Sequence, residues 1–431
     1  MEFRSKWVVE SARFYGRVAL AGLCFGYCGI TYAETELTLK WVHQQVLEKH
    51  PTLVAAKHKV GALEGSVLQA SLKPNPELTV AAENLLGTGD FGGVERGEYT
   101  LSLSQLIERG EKREKRTRFA SRAVKEFETA TDVTRIELLS EATLLYLDVL
   151  LLQYRNTLLN ERLIAQSKAL DVIRKRAAIG AVGQADVSRV ELQFASTESN
   201  HANIRDRIKL ARHSLAAFWN ETQLPDGPVA GDISHLPALP SLSALRELVS
   251  NSPVLSRARA RLETQLARLE SVRADSTRDF QVAAGVRHIE ETSEQALVLD
   301  FSLPINLRIP NQGFIESARS DVELASVEAA QFHQGANANL QATYFSLKIH
   351  YEDAERIRTS LLPKSQQLVT EVESGYQTGQ YTLLQWLDAQ ETLFDMETRL
   401  LNRHAEYFTQ YILLEESLGN LSGDLFEGEL K

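Results

Sequence analysis

The chain has 431 residues, of which 43% are hydrophobic and 24% are charged, and its formal net charge at pH 7 is −10. This length allows two or three ordinary domains, and the composition assigns the chain to no class by itself. This excess of acidic residues disfavours nucleic acid as a partner and is compatible with cations near the surface.

The first residues resemble a secretory leader. Four basic residues precede the apolar stretch 18–30, and Thr31-Tyr32-Ala33 ends in a small residue. We predict a signal peptide over residues 1–33. The alternative, a membrane anchor, requires about 20 apolar residues. Both cysteines lie in this segment, so the mature chain would have neither a disulfide nor a cysteine metal site. No later segment is apolar enough for a membrane helix, so any membrane span must use strands.

A weak duplication of about 200 residues follows the leader. Four pairs of segments recur in the same order: 50–53 with 252–255, 78–82 with 280–284, 101–107 with 299–305, and 180–191 with 379–390. We therefore predict a first repeat over 34–224, a linker rich in proline and glycine over 225–240, a second repeat over 241–421, and a tail over 422–431. Each repeat has the order helix, two strands, very long helix, turn, helix.

The first long helix is predicted over 111–179, a segment without glycine or proline. At 1.5 Å per residue it would be roughly 100 Å long, which exceeds any compact domain. Two apolar seams, on Leu138, Leu145 and Leu152 and on Leu144 and Leu151, lie on opposite sides of this helix. A charged strip of Glu141, Asp148, Arg155 and Arg162 runs between them. This pattern predicts a wall of helices with a neighbour on each side rather than one helix in a bundle.

The remaining helices are less regular. The second long helix, over 313–375, contains Gly335 and Pro363, and we predict a bend near Pro363 because proline lacks the backbone N–H. Helices over 184–224 and 380–418 are predicted to return antiparallel to the long ones.

Four segments are predicted strands: 77–86, 99–104, 280–289 and 297–303. Apolar and polar residues alternate in these segments. Such alternation is typical of strands with one face toward lipid and the other toward water. An ordinary sheet packed on a helix is the alternative interpretation. If the strands span a membrane, four are too few, because closed barrels begin at about eight strands. Several chains would then contribute to one barrel.

Local motifs support this interpretation. They are Asn75-Pro76-Glu77-Leu78 before the first strand, 101–105 leading to Gly110-Glu111-Lys112-Arg113, 302–305 leading to Asn311-Gln312-Gly313, and Gly375-Tyr376-Gln377-Thr378-Gly379 before 387–390. Together they resemble the strand-to-helix transitions and a hairpin turn of the TolC-like family of outer-membrane efflux proteins. Leu106 and Glu111 depart from its common residues. The segments 75–77 and 105–113 are most similar to the branch that serves cobalt, zinc, cadmium or copper exporters.

The resemblance implies a mainly α protein with membrane β. Four transmembrane strands per chain would form a 12-stranded barrel in a homotrimer, continued by a long periplasmic α-helical barrel. It implies the outer membrane of a Gram-negative bacterium, contact with outer-membrane lipid, and passive conduction of divalent heavy-metal cations. It also implies a periplasmic membrane-fusion adaptor and a proton-driven inner-membrane RND pump as partners.

The resemblance also implies site residues. Acidic residues ring the periplasmic aperture in this family, and Asp388 matches that motif. Gln385 stands where a second aspartate can occur, and by the internal repeat Gln385 corresponds to Asp186. The two hairpin turns are the expected adaptor-docking surface, which comprises Gly180, Val182, Gly183, Gly379, Gln380 and Tyr381.

Catalytic motifs were not found in the sequence. No pair of the ten histidines has the i, i+4 spacing of a helical zinc site, and nucleophile, phosphate-loop and dinucleotide motifs are missing. We therefore expect no enzyme activity, no cofactor and no bound metal. A soluble periplasmic coiled-coil adaptor or scaffold is the alternative function, and an exported helical enzyme ranks last.

Overall fold

The computed structural model describes residues 37–305 and 311–426. The predicted signal peptide and the end of the predicted tail lie outside the described residues. Within these two ranges, none of the helices combines the length and the apolarity that a bilayer crossing requires.

The elements of the first half are α1 (Leu39–Lys49), α2 (Pro51–Ser71), β1 (Glu77–Glu83), β2 (Glu98–Ile107), α3 (Lys112–Ala178) and α4 (Gln184–Ala217). Those of the second half are α5 (Leu242–Val249), α6 (Pro253–Ala274), β3 (Phe280–Ile289), β4 (Glu294–Ser302), α7 (Gln312–Arg356), α8 (Leu362–Thr378) and α9 (Leu383–Leu418). The same order of elements thus occurs twice, with α7 and α8 together corresponding to α3. Pro51 and Pro253 each stand in the first turn of the corresponding helix, where the missing N–H costs no hydrogen bond.

Two predicted helices were too long. The prediction that α4 continues to Leu224 is wrong, because the helix ends at Ala217. Asn220 has a left-handed φ of 68°, and Trp219 turns into the core and contacts Trp41 edge to face, with 5.9 Å between ring centroids. The prediction that the last helix begins at Gln380 is also wrong, since α9 begins at Leu383 after a tight turn. Tertiary packing and turn geometry set both ends.

The second long helix is interrupted just before Pro363. A π-helical turn, Ile357–Leu361, joins α7 to α8. Pro363 cannot donate a hydrogen bond to the carbonyl of Thr359, and its ring crowds that carbonyl. A wider turn at this point relieves both effects. The interruption therefore lies where the proline predicts a bend.

The four strands form one antiparallel sheet in the order β1-β2-β3-β4. The register places eight large apolar side chains on one face, where they are 49–74% exposed: Leu78, Val80, Leu101, Leu103, Val286, Leu297, Leu299 and Phe301. The opposite face is mainly polar. There the Arg287 guanidinium donates to Glu98 Oε2 at 2.7 Å and to Thr100 Oγ1 at 3.0 Å. The predicted alternation is confirmed on both faces.

The largest apolar cluster lies where α1, α3, α4 and α9 meet. Val229 and Ile233, from the segment predicted as a linker, are buried in it. Leu37 pairs with Val229 in a short parallel bridge, and the Tyr146 hydroxyl of α3 donates to the Leu37 carbonyl at 2.7 Å. The Ala230 carbonyl also lies within hydrogen-bond distance of this hydroxyl. The segment between the repeats is therefore built into the core.

The Tyr146 contact gives a testable prediction. Tyr146→Phe should lower the free energy of unfolding by about 1–3 kcal/mol, because the Ala230 carbonyl loses the hydroxyl donor and the Leu37 carbonyl keeps only the bond from the Ala230 N–H. The matched control is Tyr344→Phe, since no hydroxyl hydrogen bond of Tyr344 occurs in the described part of the chain. Denaturant unfolding followed by tryptophan fluorescence measures both variants. Equal stability of the two variants would contradict the assignment.

Candidate functional site at the helical hairpin turns

The turn between α3 and α4 reverses the chain at Gly180. Gly180 has a left-handed φ of 73°, which glycine adopts without steric cost. The Ala181 N–H donates to the Arg176 carbonyl at 2.9 Å and thereby closes the end of α3. Gly183 is the N-cap that precedes α4, and its carbonyl accepts from the Asp186 N–H at 3.1 Å. The two predicted glycines thus have distinct roles, one as a helix end and the other as a helix start.

The turn between α8 and α9 is built differently. Gly379 is left-handed with a φ of 81°, and the Gln380 N–H donates to the Gly375 carbonyl at 2.7 Å. Thr382 then starts α9 with a capping box. Its backbone N–H donates to Gln385 Oε1 at 2.9 Å, while the Gln385 N–H donates to Thr382 Oγ1. The Gln385 side chain therefore stabilises the helix start.

One apolar cluster joins the two hairpins. Tyr376 of α8 stacks on Trp386 of α9 with 5.0 Å between ring centroids. Val187 of α4 and Ile173 of α3 belong to the same buried group, and Val182 and Tyr381 of the two turns pack against it. We name this group the tip cluster. It comprises Ala169, Leu170, Ile173, Val187, Val190, Val372, Tyr376, Leu383, Trp386, Leu387 and Ala389.

Arg176 links the hairpins by three contacts. Its guanidinium lies over the Tyr376 ring, 4.4 Å from the centroid, and donates to the carbonyls of Tyr376 at 3.1 Å and Gln377 at 2.9 Å. Carbonyls in the last turn of a helix have no intrahelical partner, so an arginine is well suited to them. The sequence showed Arg176 as a basic residue near the end of α3. It did not show that Arg176 caps a different helix.

A second link lies farther from the turns. Arg162 of α3 forms an ion pair with Glu391 of α9, and its guanidinium lies 3.9 Å from the Phe394 ring centroid. Arg155 donates to Asn402 Oδ1 at 2.8 Å. These arginines belong to the predicted charged strip, whose other half, Glu141 and Asp148, is exposed. Half of the strip therefore joins α3 to α9.

The predicted acidic residues lie beside the tip cluster. Asp388 is exposed on α9, directly after the buried Leu387. Asp186 is partly buried in the first turn of α4, directly before the buried Val187. In the part of the chain that the structure describes, neither carboxylate forms an ion pair. Both negative charges are thus uncompensated near the same end of the helices.

Across residues 37–305 and 311–426, no three histidine, cysteine, aspartate or glutamate side chains are grouped so that they could hold a metal ion.

Gly375 provides a test of the tip cluster. A Cβ at this position would lie 2.1 Å from Cδ2 of Tyr381, so Gly375→Ala should cost about 1–3 kcal/mol through overpacking. Gly335→Ala is the matched control, because a Cβ at that helical position meets nothing within 4 Å and alanine favours helix by about 1 kcal/mol. Thermal melting should give a melting temperature below that of the wild type for Gly375→Ala and above it for Gly335→Ala. A Gly375→Ala variant as stable as the wild type would contradict this packing.

The sequence is similar to those of two proteins of metal resistance. The chain is 24% identical over 370 residues to the cobalt-zinc-cadmium resistance protein CzcC of Cupriavidus metallidurans, covering 85% of this chain and 86% of that one. It is 23% identical over 295 residues to the nickel-cobalt-cadmium resistance protein NccC of Alcaligenes xylosoxydans xylosoxydans, covering 68% and 67%.

Solved structures share the fold. The channel protein CusC superimposes with a TM-score of 0.72 at 17% identity, covering 90% of this chain and 93% of CusC. The outer membrane protein VceC of Vibrio cholerae also gives 0.72 at 17% identity, covering 89% and 96%. The sequence model of the outer membrane efflux protein family matches residues 42–221 and 244–420. Since this match covers most of both halves, the chain belongs to the outer membrane efflux protein family.

Proposed function

We propose that this protein is the outer-membrane channel of a tripartite efflux system and that it passively conducts divalent heavy-metal cations out of the periplasm. The observation that carries the proposal is the sheet with one exposed apolar face and one polar face, attached to paired helical hairpins. Two relatives named for resistance to cobalt, cadmium, zinc or nickel support the metal cargo. Family membership and the apolar sheet face favour a channel over a soluble adaptor or scaffold.

The proposal includes a homotrimer. Strands β1 and β4 each have one neighbour in the described chain, so each leaves an edge of unpaired backbone groups. Unpaired edges are not tolerated in hydrocarbon, and closed membrane barrels begin at about eight strands. Three copies supply twelve strands and pair every edge. The exposed apolar face then contacts outer-membrane lipid.

The proposed docking surface for the periplasmic adaptor, which connects to an RND-type pump, is the pair of hairpin turns. Ile179 beside Gly180 is 80% exposed, and Leu384 within the capping-box turn is 60% exposed. Exposed apolar side chains on rigid turns are typical of partner contacts. Val182 and Tyr381 support the turns by packing against the tip cluster.

The proposed aperture charge resides on Asp388 and Asp186. Gln385 is exposed, but its side-chain oxygen is engaged in the capping box. Threefold repetition of two carboxylates at a narrow opening would focus negative potential and favour cations.

The aperture charge can be tested in planar bilayers. The double variant Asp186→Asn with Asp388→Asn should weaken block by multivalent cations at least tenfold in apparent affinity. Asp395→Asn is the control, because Asp395 is an exposed carboxylate on the same helix α9. If the double variant and the control were blocked equally, the two residues would not form the aperture.

The cargo can be tested in cells. Deletion of the gene should raise sensitivity to zinc, cobalt, cadmium or copper, with sensitivity to dyes and antibiotics unchanged, and the wild-type gene should restore growth. Sensitivity to dyes and antibiotics alone would overturn the metal cargo while retaining the channel. Release of the protein from membranes without detergent would overturn the channel.

A further inference from the structure

A cavity of about 530 Å³ lies between the hairpins, on the side of the tip cluster away from the turns. Side chains of α3, α4, α8 and α9 line it, and its volume is within the range of about 300–1,000 Å³ typical of small-molecule sites. Part of its wall is apolar, formed by Val369, Leu387 and Phe394. The cavity is separate from Asp388 and from the hairpin turns, which do not line it.

The polar part of the wall is mainly negative. It carries four carboxylates, Glu161, Glu373, Glu391 and Glu397, against the two cations Arg162 and Lys168. Glu391 is paired with Arg162, whereas no ion pair among the described residues involves the other three carboxylates. Burial, and secondarily the charge of Glu161, raises the pKa of Glu397. Among the described residues, Glu161, Glu373 and Glu397 therefore have no ion-pair partner.

A buried amide in the same wall also lacks a partner. Gln166 is 7% exposed, and in the described part of the molecule its Oε1 accepts no hydrogen bond. Most buried polar side-chain atoms are hydrogen-bonded, and leaving an acceptor unpaired costs free energy. This observation is independent of the acidic residues and adds an uncharged acceptor to the residues that line the cavity.

We propose that this cavity binds a small organic cation with an amino or ammonium group on an apolar body. The positive group would interact with Glu397 and Glu161 and donate to Gln166 Oε1, while the apolar body packs against Val369, Leu387 and Phe394. A bare divalent cation is less suited, because such ions prefer a shell of oxygen ligands and much of this wall is hydrocarbon. This site is distinct from the conduction of metal cargo.

Ethidium is a suitable probe, because it combines a positive charge and amino groups with an apolar ring system. Titration of the purified full-length protein in detergent, followed by ethidium anisotropy, should show one saturable site per chain. Glu397→Gln should weaken binding at least tenfold, and Gln166→Leu should also weaken it. Ala165→Trp should abolish binding, since Ala165 lines the cavity and the indole would fill it.

Asp395→Asn is the matched control, because it removes an exposed carboxylate of α9 that does not line the cavity. It should bind ethidium like the wild type. Only variants whose melting temperature and elution volume match those of the wild type are compared. If Glu397→Gln is unstable, Gln166→Leu provides the test instead. Absence of a saturable site, equal binding by Glu397→Gln and Asp395→Asn, or stoichiometric displacement of ethidium by Zn²⁺ would overturn the proposal.

Discussion

The backbone groups at the two edges of the four-stranded sheet constrain the whole molecule. Within the described chain β1 and β4 each pair on one side only, and their large apolar side chains face outward. A sheet with these properties is unstable alone in either water or lipid, because water contacts the apolar face and lipid leaves the edges unpaired. In the proposed trimer, neighbouring copies pair the edges, and lipid covers the apolar face.

The helical part depends on links between the two hairpins. Apolar packing in the tip cluster supplies most of the contact, yet Arg176, Arg162 and Arg155 add directed bonds from α3 to the second hairpin. Arginine suits this position because its planar group both stacks on rings and donates to several oxygens. The hairpin ends are therefore fixed relative to each other within one chain. Proposed docking and conduction at this end both require such a defined geometry.

Residue patterns in the sequence predicted part of the proposed site. Glycines at 180, 183 and 379 marked the reversals correctly, because a left-handed or capping backbone position leaves a direct mark on the sequence. The function of Gln385 was not visible, since a capping box depends on where α9 begins, and that start was predicted three residues too early. Tyr376 and Trp386 appear as ordinary aromatics until their rings are brought together from different helices.

The sequence by itself determined the duplication, the strand faces, the position of the helix interruption and the continuity of the first long helix. Each of these is a local or periodic property of the chain. Only the tertiary structure decided that α4 ends at Ala217, that residues 229 and 233 are core, and that Arg176 caps α8. These features arise from contacts between residues far apart in the chain. Local propensity does not encode such contacts, since their energy exists only when the partner element is in place.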